Sequence, residues 1–436
     1  MCGDDIAHFL CRERPVCRLA MQKGTFIMKL NARKIIYDHF LSKFDGKKSK
    51  NIGVELEFPL VNSNGGDVDK KVARKLIDYF INKGFMPVLY SDSGEPLFVE
   101  NADGDTLSFD NSYNNFEFSL NYGENLCVIA DRFYKLLSEV QNFLGKNGHY
   151  LVGVGTNPNK RNITSNRVDF STYKMVADYL TKFPGEHKMS DFPAYLSSVQ
   201  THLDAELENL PKAYTTFAML DFVRALLFSN SPDFNGRGYI CYRDYLWEKS
   251  GFGLCPNITG KVDKKFETQT DLEDYFLEKG MFNRIRNGKY EVFEPVNIKV
   301  YFEDEKYGAK AEDIECYLSF KSVEITSRGT LEVRSDCAQE FENAFCPPAF
   351  NLGVMEGVDE VYDIITTFFE DNNITMSNSE LRDIVVSGDD VTKIADGEAI
   401  YMLLSDILTV VEEKLSLRGF GEEKYIEPLW DKINEI

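Results

Sequence analysis

A mixed α+β fold is predicted by three features of the chain. Apolar residues recur at spacings of three and four over several stretches, some of which stop at glycine. Short segments of strict alternation, rich in Val, Ile, Phe and Tyr, lie between them, and the polar connections are mostly short. In order, the helical stretches cover residues 72–83 before Gly84, 126–144 before Gly145, 212–228, 358–369, and 399–417 before Gly419. After Met28 there is no linker rich in Pro, Gly and Ser, no repeat and no low-complexity run, so residues 29–436 read as one domain. The helices after Val358 belong to it as packing layers, because about 80 residues alone would supply their apolar stripes poorly.

Composition narrows the function. With 43% hydrophobic residues and only 14 Pro among 436, the chain is an ordinary globular one rather than a disordered or collagenous one. Its 49 Lys and Arg against 70 Asp and Glu leave a net charge of −21, which disfavours nucleic acid and anionic lipid as partners. An acidic protein can still take an anionic substrate if metal ions or a few placed Arg and Lys reverse the field in one cleft. The nine cysteines are scattered without a CxxC pair, which argues against a zinc site and a disulfide scaffold. No stretch of 18 apolar residues occurs, and the first 28 residues are unlike a signal peptide. A cytoplasmic setting is expected. Met21 and Met28 are alternative starts, so residues 1–28 are expected to be a loose tail or an over-extended start.

Four alternating segments carry the polar chemistry. In residues 53–60 a strand would point Glu55 and Glu57 to one side, with Val54, Leu56 and Phe58 behind. Two carboxylates about 6 to 7 Å apart repel mildly, and a divalent cation between them would reverse that cost; a solvated strand face is the plainer alternative. Residues 115–119 repeat the pattern with Glu117 between Phe116 and Phe118, and Asp110 lies seven residues earlier. Residues 199–204 would aim Gln200, His202 and Asp204 at one face, although a single His can be an ordinary surface residue. Residues 328–334 set Glu332 and Arg334 together, which could equally be a same-strand ion pair. Jointly the four strands make a face suited to metal-bound phosphates: Mg²⁺ favours carboxylate oxygens, and Arg offers a planar fork to a phosphoryl group.

Other segments say less. Residues 153–158 lack the Gly-Lys-Ser/Thr of a phosphate loop and read as a strand end and turn. Residues 230–232 close the helix of residues 212–228, and beyond them Arg243 and Trp247 are candidates for a substrate wall, or simply a surface Arg and a buried Trp. No nucleophile triad is visible among five His.

The ordered set Gly-x-Glu-x-Glu (53–57), Phe-Glu-Phe-Ser (116–119), Gly-x-Gly-Thr-Asn-Pro (153–158), Val-Gln-x-x-Leu-Asp (199–204), Asn-Ser-Pro (230–232) and Arg-Gly-Thr-Leu-Glu-Val-Arg (328–334) resembles glutamate-cysteine ligase, chiefly its plant and proteobacterial branch. The resemblance spans about residues 50–345. It implies a fold like glutamine synthetase and the guanido kinases, a curved, mainly antiparallel sheet with the active site on its concave face and helices on the other. It implies an ATP-dependent ligase that forms γ-glutamylcysteine through a γ-glutamyl phosphate, with two or three Mg²⁺ ions. By the same resemblance, Glu55, Glu57, Asp110, Glu117 and Glu332 bind metal, and Arg334 acts with Glu55 and Glu332 in catalysis. Gln200, His202, Arg243 and Trp247 are expected to contact substrates. His202 stands where the plant-like branch usually has Asn, so the acceptor amine is open. A carboxylate-amine ligase for another amino acid or amine, or a non-catalytic nucleotide-binding descendant, are the alternatives.

Overall fold

The computed structural model describes residues 30–434. The tail expected over residues 1–28 lies outside them. Thirteen strands are formed among the described residues: β1 Ile52–Asn62, β2 Met86–Tyr90, β3 Pro96–Glu100, β4 Thr106–Phe109, β5 Asn115–Gly123, β6 His149–Leu151, β7 Ser198–Leu203, β8 Thr259–Gly260, β9 Gly280–Arg286, β10 Lys289–Asn297, β11 Phe320–Lys321, β12 Val323–Ile325 and β13 Leu331–Cys337. Nine of them make one sheet in the order β12-β13-β7-β1-β5-β4-β3-β2, with β6 on the far end of β1. Every pairing in that sheet is antiparallel, so the fold is the mixed α+β, mainly antiparallel class expected.

Register decides what each face carries. Residues directly opposite on antiparallel strands share a face, so Glu57 meets Glu117 across β1 and β5, and Glu55 meets Gln200 across β1 and β7. Across β7 and β13, His202 meets Glu332. Leu56, Phe58, Phe116, Phe118 and Val333 therefore point the other way and are buried. That apolar face is covered by helices. Phe133, on the helix Leu126–Gly145, stacks on Phe58 at 5.9 Å and meets Phe118 edge-on at 5.1 Å. The helix Cys346–Glu356 lies against β7. One apolar cluster runs from Ala32 to Ile433 and includes the helices after Val358.

Three elements differ from expectation. The helix expected over residues 212–228 is two, Leu210–Met219 and Asp221–Phe228, broken at Leu220. The break is held from inside, because the Arg224 guanidinium donates to the Phe217 carbonyl at 2.8 Å and pairs with Asp221. Strand β7 stops at Leu203, and Asp204, expected beside His202, turns back to accept from the Asn51 N–H at 3.1 Å and the Ser49 hydroxyl at 2.6 Å. The fourth polar strand begins at Leu331, not Arg328. Gly329 has φ +80 and a Cβ there would come within 2.8 Å of the Lys43 carbonyl oxygen, so these residues form a turn.

Strand β13 also carries one extra residue. Val333 pairs with Thr201 and Asp336 with Val199, three residues against two. Such a bulge bends the strand and re-aims its side chains, and it falls at Arg334 and Ser335.

Phe133→Ala should cost about 3–5 kcal/mol by removing the ring that joins the sheet to its covering helix. Urea denaturation followed by circular dichroism measures this; a loss below about 1 kcal/mol would show that the apolar face collapses around the gap.

Candidate functional site

The polar face brings six acidic or imidazole side chains into two groups. Glu55 of β1, His202 of β7 and Glu332 of β13 place one ligand atom each within 4.8 Å of one another. So do Glu57 of β1, Asp110 after β4 and Glu117 of β5. All six are buried. Asp110 gets there through a local turn: β4 ends at Phe109, Asn111 adopts φ 58, and the Ser112 N–H donates to the Asp110 carbonyl at 2.5 Å. Asn tolerates the left-handed region better than most residues.

The first group is laced with cations. His202 Nε2 lies 3.1 Å from Glu55 Oε1 and 3.7 Å from Glu332 Oε1. Arg328 donates to the His202 ring at 3.2 Å, and Arg334 Nη1 donates to Glu332 Oε1 at 2.5 Å. Burial pushes the Glu332 carboxyl up, yet Arg334 and then His202 outweigh it, and the net shift is downward. The Glu332–Arg334 pair foreseen as the plain reading of that strand does form.

Neutral donors hold the second group. Glu57 accepts from the Ser198 N–H at 2.9 Å and hydroxyl at 3.0 Å, and from the Gln200 amide at 2.9 Å. Ser119 donates to Glu117 at 2.5 Å. Burial, then the charges of Glu55, Asp110 and Glu57, push the Glu117 carboxyl well up; burial and Asp110 raise Glu57 as well. Carboxylates packed this closely out of water repel one another. An all-oxygen, all-acidic donor set suits a hard divalent cation such as Mg²⁺, and two carboxylates with an imidazole suit a divalent cation as well. The residues present therefore fit the metal that the resemblance implies.

Beside these groups opens a cleft. Glu57, Asp110, Gln200, Arg243, Trp247 and Arg334 line it, which gathers most of the residues singled out in the sequence. Arg243 donates to the Ser335 carbonyl at 3.0 Å, and Trp247 stacks on Phe320 at 4.7 Å, both on the cleft wall. His202, expected to meet substrate, lies instead between Glu55 and Glu332, because its register partner on β13 is Glu332.

Sequence reasoning missed the two lysines of the wall, Lys261 and Lys321. Each follows or ends a strand of only two residues, too short for alternation to show. Lys261 pairs with Asp244 at 2.9 Å and with Glu248. Burial lowers the Lys261 ammonium, but the two carboxylates more than reverse it and leave it raised.

Acidic groups thus stand on one sheet face beside a cation-lined cleft, in a chain whose sequence has a recognisable family. The profile of glutamate-cysteine ligase family 2 (GCS2) matches residues 51–434, and the chain belongs to that family. No curated protein matches the chain. Among solved structures it is similar to a bifunctional glutathione synthetase from Pasteurella multocida, at 13% identity and a TM-score of 0.40 over 92% of this chain and 50% of that one. It thus spans half the length of that enzyme. It is also similar to GmaS without ligand, at 13% identity and a TM-score of 0.35 over 93% and 73% of the two chains. A third similar structure is glutamate-cysteine ligase from Francisella tularensis in complex with AMP, at 10% identity and a TM-score of 0.37 over 90% and 89%. Among the described residues no helix is long and apolar enough to cross a membrane.

Glu117→Gln should raise the melting temperature of the metal-free protein, since it replaces a carboxyl whose ionisation burial and the neighbouring carboxylates oppose with a neutral amide. Saturating Mg²⁺ should raise the wild-type melting temperature by about 5 °C and the variant's by much less. Differential scanning calorimetry with and without Mg²⁺ decides it; equal shifts in both proteins would remove Glu117 from the metal set.

Proposed function

We propose that the protein is an ATP- and Mg²⁺-dependent glutamate-cysteine ligase forming γ-glutamylcysteine, built as one catalytic domain over residues 29–436. The observation that carries this reading is the pair of buried ligand groups on a single sheet face, with Arg334 bridging from one of them into the cleft. Family membership supports the reaction class. In this reading Glu57, Asp110 and Glu117 hold one divalent ion, and Glu55, His202 and Glu332 another. Bound Mg²⁺ supplies charge neutralisation at the ATP phosphates.

The chain's own residues align and shield. The γ-carboxylate oxygen of glutamate attacks the terminal phosphorus of ATP, ADP leaves, and the amine of the second substrate then attacks the acyl carbon and expels phosphate. Phosphoryl transfer asks mainly for alignment and charge stabilisation, so no proton-shuttling triad is required. Arg334, fixed by Glu332, faces the charge that develops on the transferring oxygens. Gln200 and Ser198 set the orientation of Glu57. The Trp247–Phe320 stack keeps bulk water from an acyl phosphate that would otherwise hydrolyse.

Phosphate release from ATP, Mg²⁺ and glutamate, with cysteine or with other amines, tests the reading. Cysteine-dependent release supports it; release only with another amine makes the protein a different carboxylate-amine ligase, and none makes it a binding protein. Arg334→Met and Glu332→Ala should each lower kcat by roughly 10³-fold with an unchanged circular dichroism spectrum. Near-normal turnover in either variant would contradict the assignment.

A further inference from the structure

Six lysine and arginine side chains are buried among the described residues: Arg224, Arg243, Lys261, Lys279, Lys321 and Arg382. Four of them sit against a carboxylate. Arg224 pairs with Asp221, Lys261 with Asp244 at 2.9 Å, Lys279 with Glu324, and Arg382 with Asp244 at 2.7 Å.

Arg243 and Lys321 have no carboxylate at ion-pair distance among the described residues. Arg243 donates from Nη1 to the carbonyl oxygens of Ser335 at 3.0 Å and Arg334 at 3.4 Å, and from Nη2 to the latter at 3.4 Å. Its Nε meets no acceptor among the described residues. Lys321 spends one of its three N–H groups on the Lys261 carbonyl at 2.5 Å. Both side chains belong to residues 6% exposed, and both line the same cleft.

A buried cation without a counter-charge is costly, and carbonyl dipoles offset the cost only in part. Where four of six such groups are neutralised, the two left over on one wall mark a place for an anion. Val176, Leu196 and Phe320 of the same wall keep it dry, which strengthens the attraction. Burial, with Lys279 adding to it, lowers the Lys321 ammonium to about 8 against the pull of Glu324, Asp263 and Glu248. That is the direction of a cation short of negative charge.

We propose that Lys321, on the wall of the cleft that also carries the expected substrate contact Arg243, is a specificity-determining residue by which the cleft selects a substrate bearing an α-carboxylate over its decarboxylated analogue. This deepens the ligase reading and rests on it. Arg243 supplies the planar fork and Lys321 the point charge. The carboxylate belongs to either the donor or the acceptor amino acid, and the two are separable.

The test is a titration of full-length protein by intrinsic fluorescence in a Trp430→Phe background, which leaves Trp247 of the cleft as the single tryptophan. Glutamate is compared with γ-aminobutyrate, and cysteine with cysteamine, in the presence of ATP and Mg²⁺. The parent should prefer the carboxylated member of at least one pair by tenfold or more. Lys321→Met should remove that preference by tenfold or more, Lys321→Arg should restore part of it, and the affinity for ATP should be unchanged. The pair whose preference collapses identifies the donor or the acceptor as the bound substrate. The melting temperature of Lys321→Met should equal or exceed the parent's, whereas a lysine with a structural role would lower it.

Unchanged preference in both pairs overturns the proposal, as does equal weakening of both members of a pair or a loss confined to ATP. Failure of the ligase reading shows elsewhere, in the absence of phosphate release by the parent with any amine. A parent that prefers carboxylated ligands without releasing phosphate keeps the subsite and loses the reaction.

Discussion

The sheet register is the constraint on which everything else depends. Because β1 is central, with β7 on one side and β5 on the other, its two glutamates are each forced opposite a polar partner: Glu57 opposite Glu117, and Glu55 opposite Gln200 and Ser119. A slip of one residue would turn all of them to the helix-covered face and put Leu56 and Phe58 in the cleft. The aromatic packing of Phe58, Phe118 and Phe133 opposes that slip. The apolar face thus fixes the geometry of charges that, left to themselves, would push apart.

Those charges are not treated alike. The group of Glu55, His202 and Glu332 has Arg328 and Arg334 against it, and Glu332 stays ionised more readily than usual. The group of Glu57, Asp110 and Glu117 is held by hydroxyl, amide and backbone N–H donors, and Glu117 is displaced in the opposite direction. Two neighbouring sites on one sheet therefore differ in the direction in which their surroundings shift a buried carboxyl. Arg334, His202 and Arg328 set the first direction against burial, and burial among other carboxylates sets the second.

Much of this was legible in the sequence because alternation has a fixed period. The faces of β1, β5 and β7 follow from counting residues by two, and so does the sharing of one face by Glu55 and Glu57 and by Gln200 and His202. The pairing of His202 with Glu332 was hidden, since register between strands 130 residues apart in sequence leaves no local mark. Asp204 obeyed the alternation but not the strand end. The break at Leu220 was concealed by continuous apolar spacing, because what sustains it is a buried Arg224 reaching back seven residues to the Phe217 carbonyl. Lys261 and Lys321 were invisible for a simpler reason: they stand beside two-residue strands, where no periodicity exists to read.

The C-terminal helices do more than pack. Arg382, on the helix Asn378–Val386, donates to Asp244 at 2.7 Å and to the Ser335 carbonyl at 3.2 Å. Asp244 in turn holds Lys261, and the Ser335 carbonyl is the same one that Arg243 uses at 3.0 Å. One buried guanidinium therefore ties a helix beyond residue 358 to both the bulge in β13 and the helix Tyr242–Glu248 that carries Arg243 and Trp247. A buried ion pair of this kind stabilises little compared with apolar packing, but breaking one partner leaves the other charge stranded. Its value lies in geometry: the wall of the cleft cannot shift relative to the sheet without unpairing a charge, so a region that looks like packing in the sequence sets where the cations of the cleft stand.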